Sequence, residues 1–131
     1  MNTLTSRLSR PLGSRTLAVP GALALVAVAV VHLLDGPGSL SDVFYVGALE
    51  LALSAACVPL ALILVMRPTC EAWLPVAALI WAALGFYVAS RTVGLPGSSD
   101  DIGNWGQTLG VVNLATELSA LAIATLALAR R

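Results

Sequence analysis

Six side chains in this 131-residue chain could carry chemistry from inside apolar surroundings: His32, Glu50, Tyr87, Arg91, Asn113 and Glu117. An ionised carboxylate in hydrocarbon is costly, so Glu50 and Glu117 must be protonated, paired or hydrated. Three partners come into question: the Arg91 guanidinium, a protonated His32, or a bound metal. Tyr87 and Arg91 are one helical turn apart, as are Asn113 and Glu117. The six residues form a candidate ligand or ion cluster. One His with two carboxylates is a donor set that a divalent metal accepts. Di-metal helical bundles, however, use Glu-x-x-His pairs on two helices, and none occurs here, so a metal stays unassigned. The structural alternative is that the same groups pair with one another and only fix helix register.

Catalysis has no signature. The sequence lacks G-x-S-x-G, H-E-x-x-H, a Walker loop and G-x-G-x-x-G. No catalytic residue and no cofactor is expected. Cys57 and Cys70 form no C-x-x-C motif and no zinc spacing, and both are expected as free thiols.

The elements that must position the cluster follow from composition. The chain is 58% hydrophobic and 11% charged, against about 25% charged in soluble domains. Its mean hydropathy is +0.90. Seven basic residues balance seven acidic ones, which leaves no basic field for nucleic acid. Apolar residues are blocked at about 18–34, 43–66, 72–90 and 108–128. Glu50 and Glu117 are the only formal charges in these spans. A helix needs roughly 20 apolar residues to cross a ~30 Å hydrocarbon core. The fold expected is all-α: a four-helix transmembrane bundle running up-down-up-down, preceded by an N-terminal arm over residues 1–16. A very apolar soluble bundle would need polar outer stripes, and the spans have none wide enough. A cleaved signal peptide over the first span would leave the other three unchanged.

Charge sets the orientation. Arg7, Arg10, Arg15, Arg67, Arg130 and Arg131 share one side of a four-crossing chain, and Arg91 is opposite. Positive residues favour the cytoplasm, so both termini are expected there, in a cell (plasma) membrane. Phe44, Tyr45, Phe86, Tyr87 and Trp105 then fall near the outer boundary and Trp73 near the inner one, its N–H meeting headgroups. Trp81, mid-span, is expected to pack. All six cluster residues belong to the outer half.

Punctuation refines this layout. Gly36-Pro37-Gly38 predicts a tight outer turn, and 67–71 an inner one. Pro20 and Pro75 fall in first turns, and Pro59 lies within a span. The long connection 91–107 is Gly-rich, and a loop of that length in a small protein is functional or mobile. Its Trp105, Asp100 and Asp101 are expected to cap the cluster. In span four, Gly106, Gly110, Asn113, Glu117, Ala120 and Ala124 form one small and polar stripe. Gly47, Glu50, Ser54 and Cys57 form another in span two. Small residues let helices approach, so both stripes are expected to face inward, and Glu50 and Glu117 to share an interior. The same stripes could instead serve a homo-oligomer or a membrane partner protein.

The stretch Ser90-Arg91-Thr92-Val93-Gly94-Leu95-Pro96-Gly97, followed by Asp101, Gly103-Asn104-Trp105, Gly110 and Glu117, resembles a family of small four-span bacterial integral membrane proteins of uncharacterised activity. These carry a Ser-Arg-x-x-Gly-Leu-Pro-Gly loop, a Trp, a Glu in the last span and a His in the first. The resemblance implies a multi-pass membrane protein in which His32, Tyr87, Arg91, Trp105 and Glu117 act together. It implies no activity. The sequence therefore leads to two expectations: a ligand- or cation-binding membrane protein, or a structural or assembly partner whose cluster serves packing alone.

Overall fold

A computed structural model describes residues 15–130. Most of the expected N-terminal arm lies outside the described residues. Four helices follow in chain order: α1, Ala18–Asp42; α2, Phe44–Met66; α3, Cys70–Thr92; and α4, Thr108–Ala129. Each is long and apolar enough to cross a membrane. The architecture is thus the all-α four-helix bundle, compatible with a multi-pass membrane protein. Its outer surface agrees: Leu23, Leu62 and Trp81 are 65%, 57% and 63% exposed, where a water-soluble bundle would place polar stripes.

Three expectations about the ends are corrected. Gly36-Pro37-Gly38 is not a turn; α1 runs through it to Asp42. Neither flanking glycine has positive φ. Gly36 is buried against α2, where an added Cβ would meet Leu51 Cδ2 at 2.8 Å. That tertiary contact outweighs the local turn preference. The reversal falls instead on the single extended residue Val43, whose N–H donates to Ser39 O at 2.8 Å. The inner turn is likewise shorter, with Arg67–Thr69 joining α2 to α3. Thr69 caps α3 by accepting from the Ala72 N–H at 3.3 Å. Pro75 consequently lies beyond the first turn of α3.

Two tryptophans also depart from expectation. Trp73 does not turn its N–H outward to headgroups: it is fully buried beside Gly21 and Leu64, with its Nε1 unpartnered among the described residues. Trp81 does not pack inside but points outward.

The helices form a ring in which α1 touches α2 and α4, and α3 touches α4 and α2. The α1–α2 contact is the most extensive and α2–α3 the slightest. The apolar core lies mainly in the half nearer Arg67, the terminal end. There Leu25, Val28, Cys57, Leu64, Trp73, Val76, Ile80, Ala120 and Ala124 form one core. The inward stripes hold: Gly47, Ser54 and Cys57 on α2, and Gly110, Asn113, Glu117, Ala120 and Ala124 on α4, are all buried. Two members depart from this: Gly106 is exposed ahead of α4, and Glu50 is half-buried. Ser54 Oγ donates to Ala29 O at 2.8 Å, a hydroxyl satisfied across the α1–α2 seam. Cys57 and Cys70 are free thiols.

Candidate functional site

The opposite half, the loop end, is hollow. A cavity of about 610 Å³ lies there, walled by all four helices and the 93–107 connection. Five of the six sequence-derived cluster residues line it: His32, Glu50, Tyr87, Arg91 and Asn113. Glu117 does not. It sits one layer behind, fully buried, and its Oε1 is 3.0 Å from His32 Nε2. His32 therefore faces both ways, lining the cavity while closing a buried pair between α1 and α4. Because α1 extends to Asp42, His32 is well inside the helix, not at its boundary.

Arg91 is also placed differently from expectation. It does not reach either glutamate. Its Nη1 pairs with Asp101 Oδ2 at 3.1 Å, and its Nη2 donates to Gln107 Oε1 at 3.1 Å. Nη1 also lies 3.3 Å from Ser90 Oγ, and the guanidinium stands 4.8 Å over the Tyr87 ring. Gly110 makes room for this assembly, since a Cβ there would meet Tyr87 Oη at 2.9 Å. Trp105 completes the stack edge-on to Tyr87, with ring centroids 6.0 Å apart.

The 93–107 connection is built to sit on the bundle. Gly94, at φ 80°, ends α3 by donating to Ala89 O at 2.9 Å. Leu95-Pro96-Gly97-Ser98 is a tight turn with Pro second and Gly97 at φ 73° third, closed by Ser98 N–H to Leu95 O at 2.9 Å. Tyr45 Oη donates to Pro96 O at 2.7 Å, tying the turn to α2. Gly103 N–H donates to Arg91 O at 2.8 Å. Of the three expected cap residues, Trp105 and Asp101 join the site. Asp100 stays exposed.

Sequence reasoning missed Asp35, Ser39, Asp42, Ser90 and Gln107, all cavity-lining. A signal existed: from His32, residues 35, 39 and 42 fall at offsets 3, 7 and 10, one face of a continuing helix. Placing a turn at 36–38 concealed it.

Chemically, the cavity is rich in acceptors. Its lining holds the carboxylates of Asp35, Asp42, Glu50 and Asp101 and the guanidinium of Arg91, which pairs with Asp101. Glu50 Oε2 and Asn113 Oδ1 are buried without a partner among the described residues, as is Arg91 Nε. Among those residues no three His, Cys, Asp or Glu side chains come together as a metal site. No family model matches the chain, and no curated protein or solved structure is similar to it.

Proposed function

We propose that this is a multi-pass plasma-membrane protein, with both termini cytoplasmic, whose outer-half cavity binds a small ligand or cation. The observation that carries the reading is that Glu50 and Asn113, both lining an acid-rich cavity, each hold a buried acceptor, Oε2 and Oδ1, without a partner among the described residues. Buried polar atoms are satisfied in the great majority of cases, so an unmatched pair beside an open volume points to an occupant. The excess of acidic groups favours a positive one. Arginine distribution supports the orientation, since in sequence six of the seven fall in the segments before the first span, between the second and third, and after the fourth. The Ser-Arg-x-x-Gly-Leu-Pro-Gly loop supports kinship with small four-span bacterial membrane proteins.

A structural role fits Glu117 better. Its bond to His32 spans α1 and α4 and lies behind the cavity wall. In this reading the pair locks the bundle and Glu50 serves the ligand. Native mass spectrometry with elemental analysis of the purified protein tests the proposal. The wild type should carry a small molecule or ion that the Glu50→Gln variant loses. A wild type found empty by both methods would overturn it.

A further inference from the structure

The wall between α2 and α3 is the loosest side of the cavity. Helices α2 and α3 are joined by three residues at the terminal end, and their contact is the slightest of the neighbouring pairs. The cavity runs along both, from Val46 to Ala56 on α2 and from Leu79 to Ser90 on α3. At 1.5 Å per residue that is a cleft about 15 Å long. Its walls are apolar: Leu49, Leu53, Leu79, Ala83 and Phe86. Leu49, Ala52 and Ala82 line the cavity and are exposed.

One end of this cleft is acidic, with Glu50, Asp35 and Asp42. An acidic cluster alone would not indicate a ligand. Asn113 supplies the independent observation: the residue is 8% exposed and lines the same cavity, and its Oδ1 has no partner among the described residues. Glu50 Oε2, on α2, is a second buried acceptor without a partner among the described residues, and Glu50 lines the same cavity. A bare metal ion is a poor match, because no three-ligand set converges there among the described residues.

We infer that the occupant is an amphiphilic ammonium bearing N–H donors. Its head is held by Glu50 and Asn113, and its hydrocarbon tail lies in the α2–α3 cleft. Resting on the cation-binding reading, this names the ligand class and its sideways route. The same chemistry has two sources: a free alkylamine or an aminophospholipid headgroup.

The test is a native mass spectrometry titration of the full chain from non-ionic detergent. The probes are decylammonium, ethylammonium, decyl sulfate, dihexanoylphosphatidylethanolamine and magnesium. Decylammonium should bind saturably, ethylammonium roughly tenfold more weakly or worse, and decyl sulfate not at all. Binding of the short-chain phospholipid in addition assigns a lipid headgroup; its failure beside decylammonium assigns a free amine. Glu50→Gln should weaken decylammonium by about tenfold. Ala82→Trp, which fills the mouth of the cleft and keeps every charge, should abolish the advantage of decylammonium over ethylammonium. It also keeps the test decisive if Glu50→Gln fails to fold. Equal binding of decyl sulfate, or ethylammonium matching decylammonium in the wild type, would overturn the inference. In the second case the cation-binding reading survives. Binding of magnesium alone would do the same, and no binding by any probe would overturn both.

Discussion

His32 Nε2 and Glu117 Oε1 meet at 3.0 Å across 85 positions of sequence, and this bond is the polar tie between the first and last helices. Both residues are buried, so each depends on the other for satisfaction. Removing one partner leaves a desolvated group unpaired, which costs about 1–3 kcal/mol. Glu117→Ala and His32→Ala should therefore each lower the unfolding free energy by that amount, as read by detergent-denaturant titration. The double variant should lose less than the sum. Glu117→Gln keeps an oxygen acceptor for the imidazole and should lose less than Glu117→Ala. Additive single losses would show that the bond is not the tie.

Arg91 holds the 93–107 connection through Asp101, Gln107 and its own carbonyl to Gly103. Lysine preserves the charge but not the planar fork that serves two acceptors at once. Arg91→Lys should leave the helices intact while loosening the loop. Amide exchange at residues 99–106 should rise, with exchange in α4 unchanged. An Arg91→Lys loop as protected as wild type would place its anchoring elsewhere, at Tyr45 and Pro96.

How much of this was legible in the sequence depends on the kind of force involved. The four spans, and the burial of Gly47, Ser54, Cys57, Asn113 and Glu117, follow from hydropathy and helical spacing, which are local. The continuation of α1 through Gly36-Pro37-Gly38 was not legible, because its cause is the seating of Gly36 on Leu51 of another helix. That one error displaced His32 to a boundary and hid Asp35, Ser39 and Asp42 from the cavity. The choice of Arg91 between a glutamate and Asp101 was equally hidden. It is made by the backbone of the loop, where Gly94, Gly97 and Gly103 take positive φ. Trp73 and Trp81 exchanged their expected roles because both helix ends and helix centres accept indoles, and only packing partners decide between them.

Two glycines contrast the packed and open parts of the bundle. At Gly47 an added Cβ would run into the backbone of Leu40 and lie 2.6 Å from Gly36 O. Backbone cannot rotate aside, so Gly47→Ala should destabilise by about 1–3 kcal/mol. At Gly85, within α3, nothing lies within 4 Å. Gly85→Ala should then be stabilising by about 0.5–1 kcal/mol, through helix preference alone. Thermal unfolding of both variants in one detergent is the check, and a neutral Gly47→Ala would contradict the close α1–α2 approach.

Orientation in the membrane can be read with the protein's own thiols. Cys70 is half-buried at the terminal end, whereas Cys57 is buried in the core. Ser99 is exposed in the loop at the opposite end. A helix of 23 residues, the length of α3, rises about 34 Å, so these two positions sit on opposite sides of a ~30 Å core. In a Cys57→Ala background, Ser99→Cys should react with an impermeant maleimide in intact cells. Cys70 should react only after the membrane is opened. Arg15, Arg67 and Arg130 at the terminal end against Arg91 at the loop end are the physical basis, since basic residues resist translocation. The reverse labelling pattern would turn the protein over and place the Glu50 cavity on the cytoplasmic side. An amphiphilic ammonium would then have to come from the inner leaflet instead of the outer.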